Sequence, residues 1–236
     1  MNLVLFSQTD FIDINLIAIR DSRRLQHIKE VHQVKVDDNL KVGLINGKIG
    51  SGKVVLLAET EIHLEVSLTQ SSPKPLPVTL VLALPRPKML KRTLQTIATL
   101  GVKKIYLINS YRVEKSYWQT PLLDEESIAE HLLIGLEQGC DTQLPEVHLI
   151  KRFKPFVEDD LQEIVGDTRA LVAHPYTDLA CPAQIDYAIT LAIGPEGGFI
   201  PYEIDLLQKC GFTAVNLGER IMRVETVVPY LLGRLY

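Results

Sequence analysis

From residue 78 onward, short apolar runs alternate with amphipathic stretches of helix length, and this alternation leaves few architectures open. PVTLVLALP reads as a buried strand, and PKMLKRTLQTIATLG follows as a helix with Leu90, Leu94 and Ile97 on one stripe. Gly101 suits the left-handed stop of that helix. The cycle repeats with a strand in KKIYLIN, a helix over 124–138, a strand in VHLI and a short helix in VEDDLQEIV. Strands in RALVAH and DYAITLAIG, a helix in PYEIDLLQKCG, a strand in TAVNLG and a closing helix from about Val224 complete it. Pro229 falls inside that last helix and predicts a kink. Strands separated by helices pair in parallel, because each crossover needs a dozen or more residues. An α/β domain is therefore expected, with its ligands at the carboxyl ends of the strands.

Two of those strand ends carry unusual loops. AITLAIGPEGGF, residues 188–199, runs from a hydrophobic strand into Gly-Pro-Glu-Gly-Gly, with a helix from Pro201. Such a loop lets backbone approach a ligand closely, and a plain connection does not need Glu196 at its centre. AVNLGERIMRVET, residues 214–226, repeats the arrangement with Arg220, Arg223 and Glu225 near a helix start. Two arginines there oppose the helix dipole, a cost that points to a functional use for at least one.

The prolines of SSPKPLP, residues 71–77, end regular structure and read as a linker. Before it, NLKVGLING, KVVLLAE and EIHLEVSL are strand-like, and Asn46-Gly47 suits a hairpin turn. Asp21 and Ser22 cap a short helix through about His32, with Leu25 and Ile28 inward. Strands and one helix in seventy residues predict a small barrel. GKIGSGK, residues 47–53, fits part of a phosphate-binding loop, but Val54 replaces the Mg²⁺-binding hydroxyl and a strand follows. It reads as a glycine-rich hairpin.

The net charge of −4 excludes a uniformly basic nucleic-acid binder, so any such binding needs a local patch. Residues 86–115 supply one, with eight Lys/Arg against the single acid Glu114. Arg86 and Lys88 stand just past a strand end, and Tyr111, Tyr117 and Trp118 near Arg112 suit stacking on unpaired bases. Cys140, Cys181 and Cys210 are too widely spaced for a zinc site, and no metal is expected. The chain has no signal-peptide pattern and no apolar run near ~20 residues, so a cytoplasmic protein without a membrane partner is expected.

GPEGGF with its Pro-x-Glu helix, followed by LGERIMRVET, resembles the RsmE family. Those enzymes are 16S ribosomal RNA uridine-N3 methyltransferases of the knotted SPOUT class. PRPKMLKRTLQTIATLGV, Asn109 to Arg112, Glu137-Gln138, Pro145-Glu146 and Val172 to Pro175 are similar to further family segments, so the resemblance spans nearly the whole chain. The chain departs from the family pattern at Gln33, Asp141, Glu219 and Val224.

The resemblance implies a knotted parallel-sheet domain over 78–236, preceded by a PUA-like RNA-binding barrel over 1–70. It implies S-adenosylmethionine as donor, held by His174 and Pro175, by Ile193, Gly194, Glu196 and Gly197, and by Leu217, Gly218, Ile221 and Met222. Arg223 and Arg112 are the implied catalytic cations, with Glu196 and Glu225 holding loops and arginines in place. Arg23, Arg24, Arg86, Lys88 and Arg220 are assigned to RNA. No glycine fingerprint follows the first strand of the α/β part, which sets the chain apart from a Rossmann-type methyltransferase. A homodimer acting on ribosomal RNA is expected, and the apolar segment Val227 to Leu232 independently suggests a partner. A SPOUT enzyme acting on another RNA and a non-catalytic RNA binder of this fold are the alternatives.

Overall fold

The computed structural model describes residues 2–236, with the side chains of Val31 and His32 lying outside the description. The chain divides into two compact units, residues 1–74 with 133–144, and residues 75–132 with 145–236. Residues 133–144 thus join the first unit, although the sequence reading leaves them in the second part.

The first unit holds a six-stranded mixed sheet, in the order β1 (Val4–Phe6), β4 (Asn39–Leu44), β5 (Ile49–Leu57), β6 (Ile62–Gln70), β3 (Leu16–Ile19), β2 (Phe11–Asp13). Three strands, β1 to β3, escape the sequence reading because they are only three or four residues long. Of the pairings, β1 with β4 is parallel. Asp21 caps α1 (Ser22–His27) by accepting from the Arg24 N–H at 2.8 Å. Phe6, Ile17, Ile19, Ile28, Ile62 and Leu64 form a core almost closed to water. GKIGSGK is mostly strand, since β5 begins at Ile49. A Cβ at Gly50 would fall 1.8 Å from the Ser67 carbonyl oxygen, so strand approach, not phosphate, accounts for that glycine.

The C-terminal end of α3 (Glu125–Gly139) supplies the first unit with a charge. Glu137 is fully buried and accepts two hydrogen bonds from Arg23, at 2.8 and 3.1 Å. Arg24 is bound in the same manner to Asp10, at 3.0 and 3.3 Å, and to the Leu5 carbonyl. These two guanidinium groups, expected to face RNA, are largely neutralised within the unit.

The second unit is a six-stranded sheet, wholly parallel, in the order β12 (Thr213–Val215), β10 (Arg169–Ala173), β11 (Ile189–Ile193), β7 (Val78–Ala83), β8 (Lys104–Ile108), β9 (Glu146–Ile150). α2 (Pro87–Thr99) buries Leu90, Leu94 and Ile97 completely, at about 1.5–3 kcal/mol for each side chain. It ends at Gly101, whose φ of +85° only glycine adopts easily. α4 (Phe153–Pro155) and α5 (Leu161–Val165) flank a π-turn where one short helix was expected. α6 (Pro201–Lys209) and α7 (Val224–Leu235) follow the two glycine loops, and α7 contains Pro229. Val228, Leu231 and Leu232 are buried within this chain, so that segment does not by itself call for a partner.

Candidate active site

The loops that follow four of the six parallel strands, β8, β10, β11 and β12, meet in the second unit and build a pocket of about 220 Å³. His174 and Pro175 enter from the end of β10. Ile193, Gly194, Glu196 and Gly197 come from the end of β11. Leu217, Gly218, Ile221 and Met222 follow β12. The ten residues assigned to the donor therefore line a single cavity, and Arg112 and Arg220 line it with them.

The loop after β11 is locked by its neighbours. A Cβ at Gly194 would lie 2.9 Å from the Phe199 amide nitrogen, so the chain doubles back there only as glycine. Glu196 reaches across to the residue that opens α2, accepting from the Arg86 N–H at 3.3 Å with the guanidinium 3.8 Å away. Arg112, an exposed side chain after β8, donates to the Gly197 carbonyl. Glu203 explains the Pro-x-Glu pattern. It is buried and accepts from the Ile200 N–H at 3.0 Å and the Tyr111 N–H at 2.7 Å, tying the β8 loop to the start of α6.

Burial pushes the His174 imidazole below its ordinary pKa, so a neutral ring faces the pocket at neutral pH. Its backbone N–H is held by the Val215 carbonyl at 2.9 Å. Ala173, Val215, Phe199 and Val227 add apolar lining that sequence reasoning missed, as does Tyr176. Tyr176 directly follows the His-Pro pair, which is a usable signal. Val227 is hidden in an apolar helix and offers none. Tyr176 and Ile221 line the pocket while 80% and 75% exposed, so its wall is unfinished on that side.

The remaining assigned residues lie elsewhere. Arg223 opens α7, is 85% exposed, does not line the pocket, and stands 3.9 Å from Glu225. Arg86 and Lys88 are exposed at the start of α2. Among the described residues no cluster of three His, Cys, Asp or Glu suits a metal, and no helix is long and apolar enough to cross a membrane.

A family model of the RNA methyltransferase domain matches residues 72–236. The sequence is 31% identical to ribosomal RNA small subunit methyltransferase E of Treponema pallidum over 236 residues, 96% of this chain and 87% of that protein. It is 26% identical to ribosomal RNA small subunit methyltransferase E 1 of Borreliella burgdorferi over 226 residues, covering 96% and 93%. The crystal structure of a ribosomal RNA small subunit methyltransferase E from Neisseria gonorrhoeae, bound to S-adenosyl methionine, superposes with a TM-score of 0.73. At 21% identity over 98% of this chain and 95% of that one, this likeness speaks for the fold.

Proposed function

The chain belongs to the RNA methyltransferase domain family, and on that premise we propose that it methylates N3 of a uridine in small-subunit ribosomal RNA with S-adenosylmethionine as donor. The observation that carries this reading is the convergence of three strand-end loops on one pocket with Arg112 at its edge. The names of the relatives support the substrate.

The residues present fit the donor. Ile193, Val215 and Met222 give an apolar slot for a purine, and the glycine loops bring backbone polar groups to its edge. A neutral His174 avoids repelling a sulfonium. When bound, the donor supplies an electrophilic methyl group. The chain's own task is then to meet charge. Uridine N3 must lose a proton before it attacks, and the negative charge on the base calls for a positioned cation. Arg112 holds that position from the pocket, and Arg223 reaches outward to where RNA would arrive. Arg86, Lys88 and Arg220 take phosphates. A second copy of the chain completes the wall beside Tyr176 and Ile221, giving a homodimer, and the glycine loops form part of a knot. The first unit, read as PUA-like, holds RNA.

Isothermal titration of the full chain with S-adenosylmethionine tests the reading. Saturable binding that is lost in Gly194→Val supports it. Absence of donor binding in the folded protein overturns it in favour of a non-catalytic RNA binder.

A further inference from the structure

A second cavity lies at the same carboxyl edge of the parallel sheet, beyond β8 and β9. It has a volume of about 380 Å³, within the ~300–1,000 Å³ usual for small-molecule sites. Trp118, Thr120, Pro121, Asp124, Leu149 and Lys151 line it. Trp118 is the chain's one tryptophan. Its indole N–H donates to Asn109 Oδ1 at 3.0 Å, and the Asn109 N–H donates to the Ile150 carbonyl at 2.8 Å. The ring is thus fastened across the ends of both strands. Leu149 leaves 38% of its surface to water beside it. Lys151 and Arg152 are exposed, and Lys151 and Asp124 form no ion pair among the described residues.

We propose that this cavity binds an unpaired nucleotide of the RNA other than the one that is methylated. The proposal rests on the RNA methyltransferase reading. The base stacks on Trp118, which an anchored ring does without losing rotamer freedom. Lys151 takes the adjoining phosphate. Asp124, which can only accept, favours a base with an exocyclic amino group, because the one donor of uracil, N3–H, lies between O2 and O4, which a carboxylate repels; adenine, cytosine or guanine is thus favoured over uracil. The subsite therefore differs in preference from the uridine-methylating site. Two strands lie between β9 and β11, so three spacings of ~4.8 Å set it roughly 14 Å across the sheet from the donor loop. That distance places the nucleotide a few positions along the strand from the target. The exposed cations at Lys115, Lys151 and Arg152 fit a polyanion and disfavour a basic or apolar peptide.

Trp118 reports its own occupancy. The full chain is titrated at low salt with single-stranded r(A)6, r(C)6 and r(U)6 while tryptophan fluorescence is followed. Saturable quenching by r(A)6 and r(C)6, about tenfold tighter than by r(U)6, is expected. Asp124→Asn should erase that preference. Lys151→Ala should weaken all three RNAs alike and lower the salt slope by about one. No saturable quenching, or quenching equal for all three RNAs and indifferent to both substitutions, overturns the proposal. Donor binding by calorimetry reads the methyltransferase assignment separately, so failure of one is distinguishable from failure of the other.

Discussion

Arg112 straps the loop after β11 by donating its guanidinium N–H to the Gly197 carbonyl, and the Gly197 Cα faces the same side chain. A Cβ built there would stand 2.9 Å from Arg112 Cδ. The small residue at 197 is thus fitted to the arginine as well as to the pocket.

Gly197→Ala should therefore act by displacing Arg112. Arg112→Ala alone should slow methyl transfer roughly a hundred- to a thousand-fold, the usual cost of one preorganised donor. The double variant should be little slower than the slower single one, because the two changes disable one contact. Rate losses that simply multiply would show that Gly197 meets the donor independently of Arg112.

Arg223 offers the contrasting case. At 85% exposure and 3.9 Å from Glu225, its ion pair contributes little to stability. Arg223→Ala should leave unfolding within about 0.5 kcal/mol of the parent and donor affinity unchanged. Methyl transfer should fall by less than in Arg112→Ala, because Arg223 stands in solvent outside the pocket and meets only the arriving RNA. Parallel losses of donor binding and thermal stability would make Arg223 a loop-holding residue and leave Arg112 as the cation.

The parallel sheet was legible because period and length distinguish its strands from its helices, and Gly101 punctuates them as expected. The loops that line the pocket were legible because close approach of neighbouring chain leaves glycines in the sequence, as at Gly194 and Gly197. Two things were not. The strands β1 to β3 are too short to show a period. The destination of a long side chain depends on tertiary neighbours: Arg23 and Arg24 read as free cations until Glu137 and Asp10, 114 and 14 residues away, are brought beside them.

That pairing carries a pH signature. Burial pushes the Glu137 carboxyl above its ordinary 4.5, and Arg23 restrains the rise. A carboxyl with a raised folded pKa binds more protons folded than unfolded, so stability falls as pH climbs from the unfolded value to the folded one. Arg23→Ala should cost about 3–5 kcal/mol near neutrality, where a buried carboxylate is left alone. The deficit should shrink as pH drops toward the unfolded value, and Glu137→Gln in the same background should remove the pH dependence. Urea midpoints measured across pH decide this, and a deficit that does not change with pH would contradict it.

His174, proposed to line the donor site, should make donor binding sensitive to acid. Burial holds its pKa below the ordinary 6.5, so the ring stays neutral above that pH. Donor affinity should be flat at higher pH and weaken only as the imidazole protonates beneath 6.5, placing a cation beside a sulfonium. His174→Gln should abolish the acid limb, and its persistence in calorimetry would assign the limb to another group.

Methyl transfer to N3 of a uridine in small-subunit ribosomal RNA can be read directly on the RNA. Small subunits from a strain lacking this protein can be incubated with the purified chain and S-adenosylmethionine, their RNA cut into oligonucleotides to map the methyl by mass spectrometry, and the modified nucleoside identified by chromatography against a 3-methyluridine standard. Gain of 3-methyluridine at a single position of that RNA is expected. A methyl on a ribose, on another base, or on no nucleoside at all would contradict it.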